Sequence, residues 1–126
     1  MKPTAAMEDY LEAIIVLQGK KEEVRIKKLA EHLGIKPPSV IEMMKNLKNN
    51  GYVLQKSRGD ITLTEKGILV AKQVKKRHDI LKKFFHKILE LDEDIAEKDA
   101  CKIEHHLSPE TYNKLANYVD FILKDK

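Results

Sequence analysis

The sequence predicts a mainly α-helical protein with one small β-hairpin, an N-terminal winged helix-turn-helix followed by a helical C-terminal domain. Three observations predict it. Apolar residues recur at helical spacing in six segments. The period switches from helix to strand once, on either side of Ser57-Arg58-Gly59. Two of the helices are joined by a short turn containing Gly34, the arrangement of a helix-turn-helix.

The first helix is expected from Thr4 to Gln18. Met7, Leu11, Ile14 and Ile15 form its stripe, Thr4 is the N-cap and Gly19 the stop. Lys20-Lys21-Glu22-Glu23 reads as a loop, and Val24 as the opening of a short strand. Ile26 to Leu33 makes a second helix ended by Gly34. The third starts at Pro38-Ser39, because a proline suits a first turn, and runs to about Asn49 on a stripe of Val40, Met43, Met44 and Leu47. Tyr52 to Lys56 and Asp60 to Thr64 are the two strands of the wing. Thr64-x-x-Gly67 opens a long fourth helix reaching about Leu89, with Leu69, Val70, Val74, His78, Leu81, Phe85, Ile88 and Leu89 near its apolar side. A fifth spans roughly Asp94 to Leu107. Ser108-Pro109-Glu110 caps a sixth, striped by Tyr112, Leu115, Ala116, Val119, Ile122 and Leu123. The expected division is 1–70 and 71–126.

Of the 126 residues 35% are charged and 42% hydrophobic, enough for a packed core, and the net charge is +4. No apolar run approaches the roughly 20 residues of a membrane span, and no leader pattern precedes Met7. A cytoplasmic protein without a membrane partner is therefore expected. The single Cys excludes an internal disulfide framework and any four-cysteine zinc site. Charge is unevenly distributed: Gly19 to Arg58 carries ten Lys/Arg against four acids, while Phe85 to Glu110 carries three Lys against eight acids. A basic first part suits a polyanion, and an acidic later part suits a cation.

In a helix-turn-helix the second helix enters the major groove with its N-terminal residues near base edges. That makes Pro38, Ser39, Val40, Glu42 and Met43 the candidates for groove contact with double-stranded DNA. Lys36, Lys45 and Lys48 are placed for phosphates, with Lys56 and Arg58 on the wing. The helix has no Arg, so the bidentate guanine reader is missing and readout falls to Ser39, thymine methyls and DNA shape. A winged protein-interaction module with a solvated lysine face is the plainer alternative.

Cys101-Lys102-Ile103-Glu104-His105-His106 carries the most specific chemistry. On a helix, Cys101, Glu104 and His105 stand at i, i+3 and i+4, so thiolate, carboxylate and imidazole are expected on one face. Asp9 and Glu12 are i and i+3 on the first helix, and His78 lies midway along the fourth. Any complete coordination shell needs several helices. Singly, each has a plainer role: a small apolar thiol, N-terminal helix charges, a hydrogen-bonded core histidine. An enzyme is not expected. There is no His-Glu-x-x-His, no Gly-rich phosphate loop and no Gly-x-Ser-x-Gly, and the acidic setting of Cys101 does little to activate its thiol.

The chain resembles the metal-dependent repressors of the diphtheria-toxin-repressor and manganese-transport-regulator type. The likeness runs through Met7-Glu8-Asp9-Tyr10-Leu11-Glu12, Pro37-Pro38-Ser39-Val40, Leu63-Thr64-x-x-Gly67, Arg77-His78 and Cys101-x-x-Glu104-His105-His106-Leu107-Ser108. It implies a homodimer with an N-terminal winged DNA-binding domain, a C-terminal helical dimerisation domain and a divalent co-repressor, and a palindromic operator is expected for such a dimer. It also implies metal-ligand positions at Asp9, Glu12, His78, Cys101, Glu104 and His105. The manganese-type branch has Asp at the Asp9 position and Glu at the Cys101 position; the iron-type branch has Met and Cys there, so this chain mixes them. Lys82 and Glu97 stand where the iron branch's ancillary site has Glu and His. The likeness stops short of the barrel-like third domain of longer iron-type members. Fe2+ or Mn2+ is the expected ion, with Zn2+, Co2+ or Ni2+ binding in vitro. The alternative is a winged-helix DNA-binding regulator not controlled by metal.

Overall fold

The computed structural model describes residues 2–21, 23–56 and 59–124, and these divide into two compact units, Met1–Lys72 and Gln73–Lys126. In the first unit the order is α1 (Ala5–Gly19), α2 (Ile26–Leu33), α3 (Pro37–Asn49), β1 (Val53–Gln55) and β2 (Ile61–Leu63), with the opening turns of α4 (Glu65–Lys83). The Thr4 hydroxyl caps α1 by accepting from the Met7 N–H at 3.1 Å, contributing about 1 kcal/mol. Gly34, at φ +67°, ends α2 in the left-handed region that a side chain would resist. Pro37 and Pro38 occupy the first two positions of α3, where no intrahelical N–H is lost. The helix therefore begins one residue earlier than expected.

Leu11, Ile14 and Leu17 of α1, Leu29 of α2 and Val40, Met44 and Leu47 of α3 are buried together with Tyr52 and Ile61. Each aliphatic side chain in that core contributes roughly 1.5–3 kcal/mol. The hairpin is antiparallel, pairing Val53 with Leu63 and Gln55 with Ile61. Val24 forms no strand, but its carbonyl accepts from the Ile61 N–H at 2.8 Å and ties the loop before α2 to β2. Thr64 joins three segments: its hydroxyl donates to the Gly51 carbonyl at 2.6 Å and accepts from the Gly67 N–H at 3.1 Å, and its own N–H donates to the Tyr52 carbonyl.

The second unit comprises the rest of α4, a π-helical segment (Phe84–Ile88), α5 (Glu93–Ile103), a 3-10 turn (Glu104–His106) and α6 (Pro109–Lys124). The long fourth helix thus closes on a wider turn, marked by the Leu89 N–H donating to the Phe84 carbonyl at 3.0 Å. Val74, Leu81, Ala96, Ala100 and Val119 are buried. Leu69 and Leu89, expected on the apolar side of the fourth helix, are instead exposed, as are Ile95, Tyr118 and Phe121. Among the described residues no helix is long and apolar enough to cross a membrane.

Candidate nucleic-acid interface and metal centre

Helix α3 presents a polar outer face because its apolar stripe is used by the core. Lys36, Pro38, Ser39, Glu42, Lys45 and Lys48 are exposed, and Met43 is half-buried. Val40 is not a groove residue: it is fully buried beneath α3, since its position in the stripe turns it away from the outer face. Ile41, which the sequence reading passed over, is exposed beside Glu42 and adds an apolar contact to that face. The signal was present, since an isoleucine outside the stripe of its own helix must point outward.

Lys48 Nζ donates to Gln55 Oε1 at 3.0 Å, joining α3 to the first strand of the wing. Lys45 and Glu42 face each other at 3.9 Å on the exposed surface, an interaction worth little in water. Lys56 is exposed at the end of the wing, and Arg58 lies outside the described residues. The basic residues therefore belong to α3 and the wing, and the arrangement is that of a winged helix-turn-helix with an open reading face.

In the second unit His78 is the centre of a cluster. Its Nδ1 lies 2.7 Å from Glu104 Oε1 and its Nε2 2.7 Å from Glu97 Oε2, so both ring nitrogens face carboxylates. Cys101 Sγ is 3.8 Å from His78 Nδ1 and 3.4 Å from Glu97 Oε2. His78, Glu97 and Cys101 together offer three ligand atoms close enough for one ion. The hydrogen bond to Glu104 raises the His78 pKa to about 9 against the opposing effect of burial, with Glu97 adding to the rise. At neutral pH the ring is thus an imidazolium shared by two carboxylates. For Glu97, burial pushes the pKa up, but hydrogen bonds from Lys82 and His78 outweigh it and hold the carboxyl below its usual range.

Cys101 and Glu104 converge on one atom, His78 Nδ1, in keeping with their i, i+3 spacing. Helix α5 ends at Ile103, and Glu104 and His105 belong to the 3-10 turn that follows. Glu104 is fully buried while Cys101 is exposed. His105 Nε2 stands 3.8 Å from Glu104 Oε2. Glu97, which lies outside the expected ligand set, also stands with His78 and Cys101, at the i−4 position to Cys101 on α5. Asp9 is exposed and Glu12 half-buried, one turn apart on α1.

The donor set fits a divalent transition ion. A buried carboxylate needs partners for both oxygens, yet Glu104 Oε2 is buried and makes no hydrogen bond among the described residues. Imidazole, carboxylate and thiolate are the ligands that iron, manganese and zinc accept.

A basic winged helix-turn-helix accompanied by a helical unit with a buried carboxylate–imidazole cluster defines a DNA-binding regulator with a metal-binding part. The chain belongs to the iron-dependent repressor family. Residues 2–60 match its N-terminal DNA-binding domain, and residues 64–126 its metal-binding and dimerisation domain. Members of this family are metal-dependent transcriptional repressors, not enzymes. An HTH-type transcriptional regulator of Methanocaldococcus jannaschii is 40% identical over 122 residues, covering 96% of this chain and 97% of that protein. The regulator MntR of Lysinibacillus sphaericus is 35% identical over 117 residues, covering 93% of this chain and 84% of its own length. Among solved structures, that of the manganese regulator SloR superposes with a TM-score of 0.83 at 28% identity, covering 96% of this chain. This chain spans 55% of the length of that one.

Proposed function

We propose that this repressor uses Fe2+ or Mn2+ as co-repressor, binds a palindromic operator as a homodimer, and controls genes of metal homeostasis. The observation that carries the reading is Glu104: a fully buried carboxylate with one oxygen bonded to His78 and the other without a hydrogen bond among the described residues. Such a group is costly unless something positive completes it. We assign His78, Cys101, Glu104 and His105 of the second unit, and Asp9 and Glu12 of α1, as metal ligands. A bound divalent ion would supply positive charge to these carboxylates.

The roles of the chain's own residues follow. His78 gives up a ring proton on loading, Glu104 keeps its carboxylate inward, and α3 presents Ser39, Ile41 and Lys45 outward. Residues 1–70 form the DNA-binding domain in this reading, and 71–126 the metal-binding and dimerisation domain. Half-sites about 34–36 Å apart require two recognition helices at fixed spacing. The exposed Tyr118 and Phe121 of α6 supply apolar surface for a second copy of the chain. A ligand favours the DNA-competent state only by binding it more tightly.

The test is selection of bound fragments from a random DNA pool, performed anaerobically with Mn2+, with Fe2+ and with chelator. Enrichment of a palindrome only with metal supports the reading, and the more effective ion names the co-repressor. The same palindrome with chelator moves the protein to the class of winged regulators not controlled by metal, and no enrichment removes the DNA-reading role.

A further inference from the structure

Glu97 differs from Glu104 in having both oxygens engaged. Its Oε2 faces His78 Nε2 at 2.7 Å and accepts from Cys101 Sγ at 3.4 Å, while its Oε1 lies 3.1 Å from Lys82 Nζ. The same ammonium lies 3.5 Å from Glu93 Oε1, so Lys82 on α4 bridges two carboxylates one turn apart on α5. Its surroundings are positive: a cavity of about 350 Å³ beside it is walled by Lys82, Lys83, His86 and Lys87, against Asp79 and Glu93. By distance alone His78, Glu97 and Cys101 could hold an ion. An ion there would have to take Glu97 from an ammonium already in contact with it, among three further basic side chains.

We propose that Lys82 is a resident cation that closes the Glu93–Glu97 corner to a divalent ion and makes Glu97 the anchor of the His78 ring. Glu97 then accepts the hydrogen bond from His78 Nε2–H and holds Nδ1 toward Glu104 and Cys101. A histidine ligand held by a carboxylate on its far nitrogen is a recurrent arrangement in metal sites. Lys82 acts through Glu97 and is a positioning residue. The proposal rests on the metal-binding reading above but concerns a separate count, the number of ions this corner admits.

The experiment counts Mn2+ per subunit by native mass spectrometry, using the full chain, with circular dichroism as the check on folding. Wild type, Lys82→Arg and Glu97→Gln are expected to carry equal numbers of ions, and Lys82→Glu one more. Glu97→Gln should keep the count while losing roughly 10- to 100-fold in affinity through the weakened anchor. Loss of an ion in Glu97→Gln, or an unchanged count in Lys82→Glu, overturns the proposal. A wild type without Mn2+ removes the metal reading; Lys82→Glu then binding one ion still supports the role of Lys82, and binding none overturns both.

Discussion

Glu104 Oε1 lies 2.7 Å from His78 Nδ1, while Glu104 Oε2, equally buried, makes no hydrogen bond among the described residues. One carboxylate thus has one oxygen bonded and one poised for a further positive partner. Glu104→Gln keeps the shape and removes the charge. Mn2+ affinity, measured by calorimetry, should fall by more than the roughly 100-fold typical of losing an outer-shell partner. Unchanged affinity would remove Glu104 from the ligand set.

The His78 ring sets a pH dependence whose sign follows from its raised pKa. The imidazolium is favoured in the folded, metal-free protein up to about pH 9, whereas the unfolded chain releases the proton near 6.5. The stabilisation is therefore fully present below about pH 6.5 and lost as pH rises through 9. Melting temperature of the metal-free protein should decline over that interval. Mn2+ uptake should show the opposite trend, tightening by up to about tenfold per pH unit as the competing proton is removed. A His78→Gln variant should lose both trends.

Gly67 opens α4 against the wing. A Cβ at this position would meet the Tyr52 carbonyl oxygen and come within 3.2 Å of Leu63 Cδ2. Because that carbonyl already accepts from the Thr64 N–H, it cannot retreat without loosening the turn. Gly67→Ala should destabilise the DNA-binding unit by about 1–3 kcal/mol or more in urea unfolding. Gly19→Ala, where nothing stands within 4 Å of the added carbon, is the control and should be nearly neutral or slightly stabilising.

On α3, lysine and isoleucine should separate affinity from specificity. Lys45→Ala should weaken binding to all DNA sequences alike and reduce the slope of log affinity against log salt by about 1. Ile41→Ala should spare the slope and narrow the preference between operator and mismatched sites, as loss of a thymine-methyl contact would. Fluorescence anisotropy at several salt concentrations distinguishes them.

The N-terminal unit was largely legible because its punctuation is local. Thr4 caps α1, Gly34 adopts a left-handed conformation, and the hairpin period is short. Val40 was assigned both to the core stripe and to the groove, and geometry permits only the first. The residue types of the metal centre, and the convergence of Cys101 and Glu104 on His78, are legible in the sequence, but the part taken by Glu97 is not. Where α5 stops is not legible either, since Pro109 favours extended backbone just before α6 without fixing how the preceding turn winds. The role of Lys82 toward Glu97 is a contact between α4 and α5, which no single-helix pattern contains.

The π-helical segment Phe84–Ile88 has a consequence for the chain's tolerance to change in length. A π turn is what a helix becomes when it absorbs one residue without breaking, so this stretch holds a surplus position. Removing one residue there lets the backbone revert to ordinary α winding, downstream of His78 and Lys82. Removing one between His78 and Lys82 instead rotates the two side chains about 100° relative to each other. Natural or engineered deletions in this helix should accordingly survive only in its last turn, where the protein carries its own spare residue.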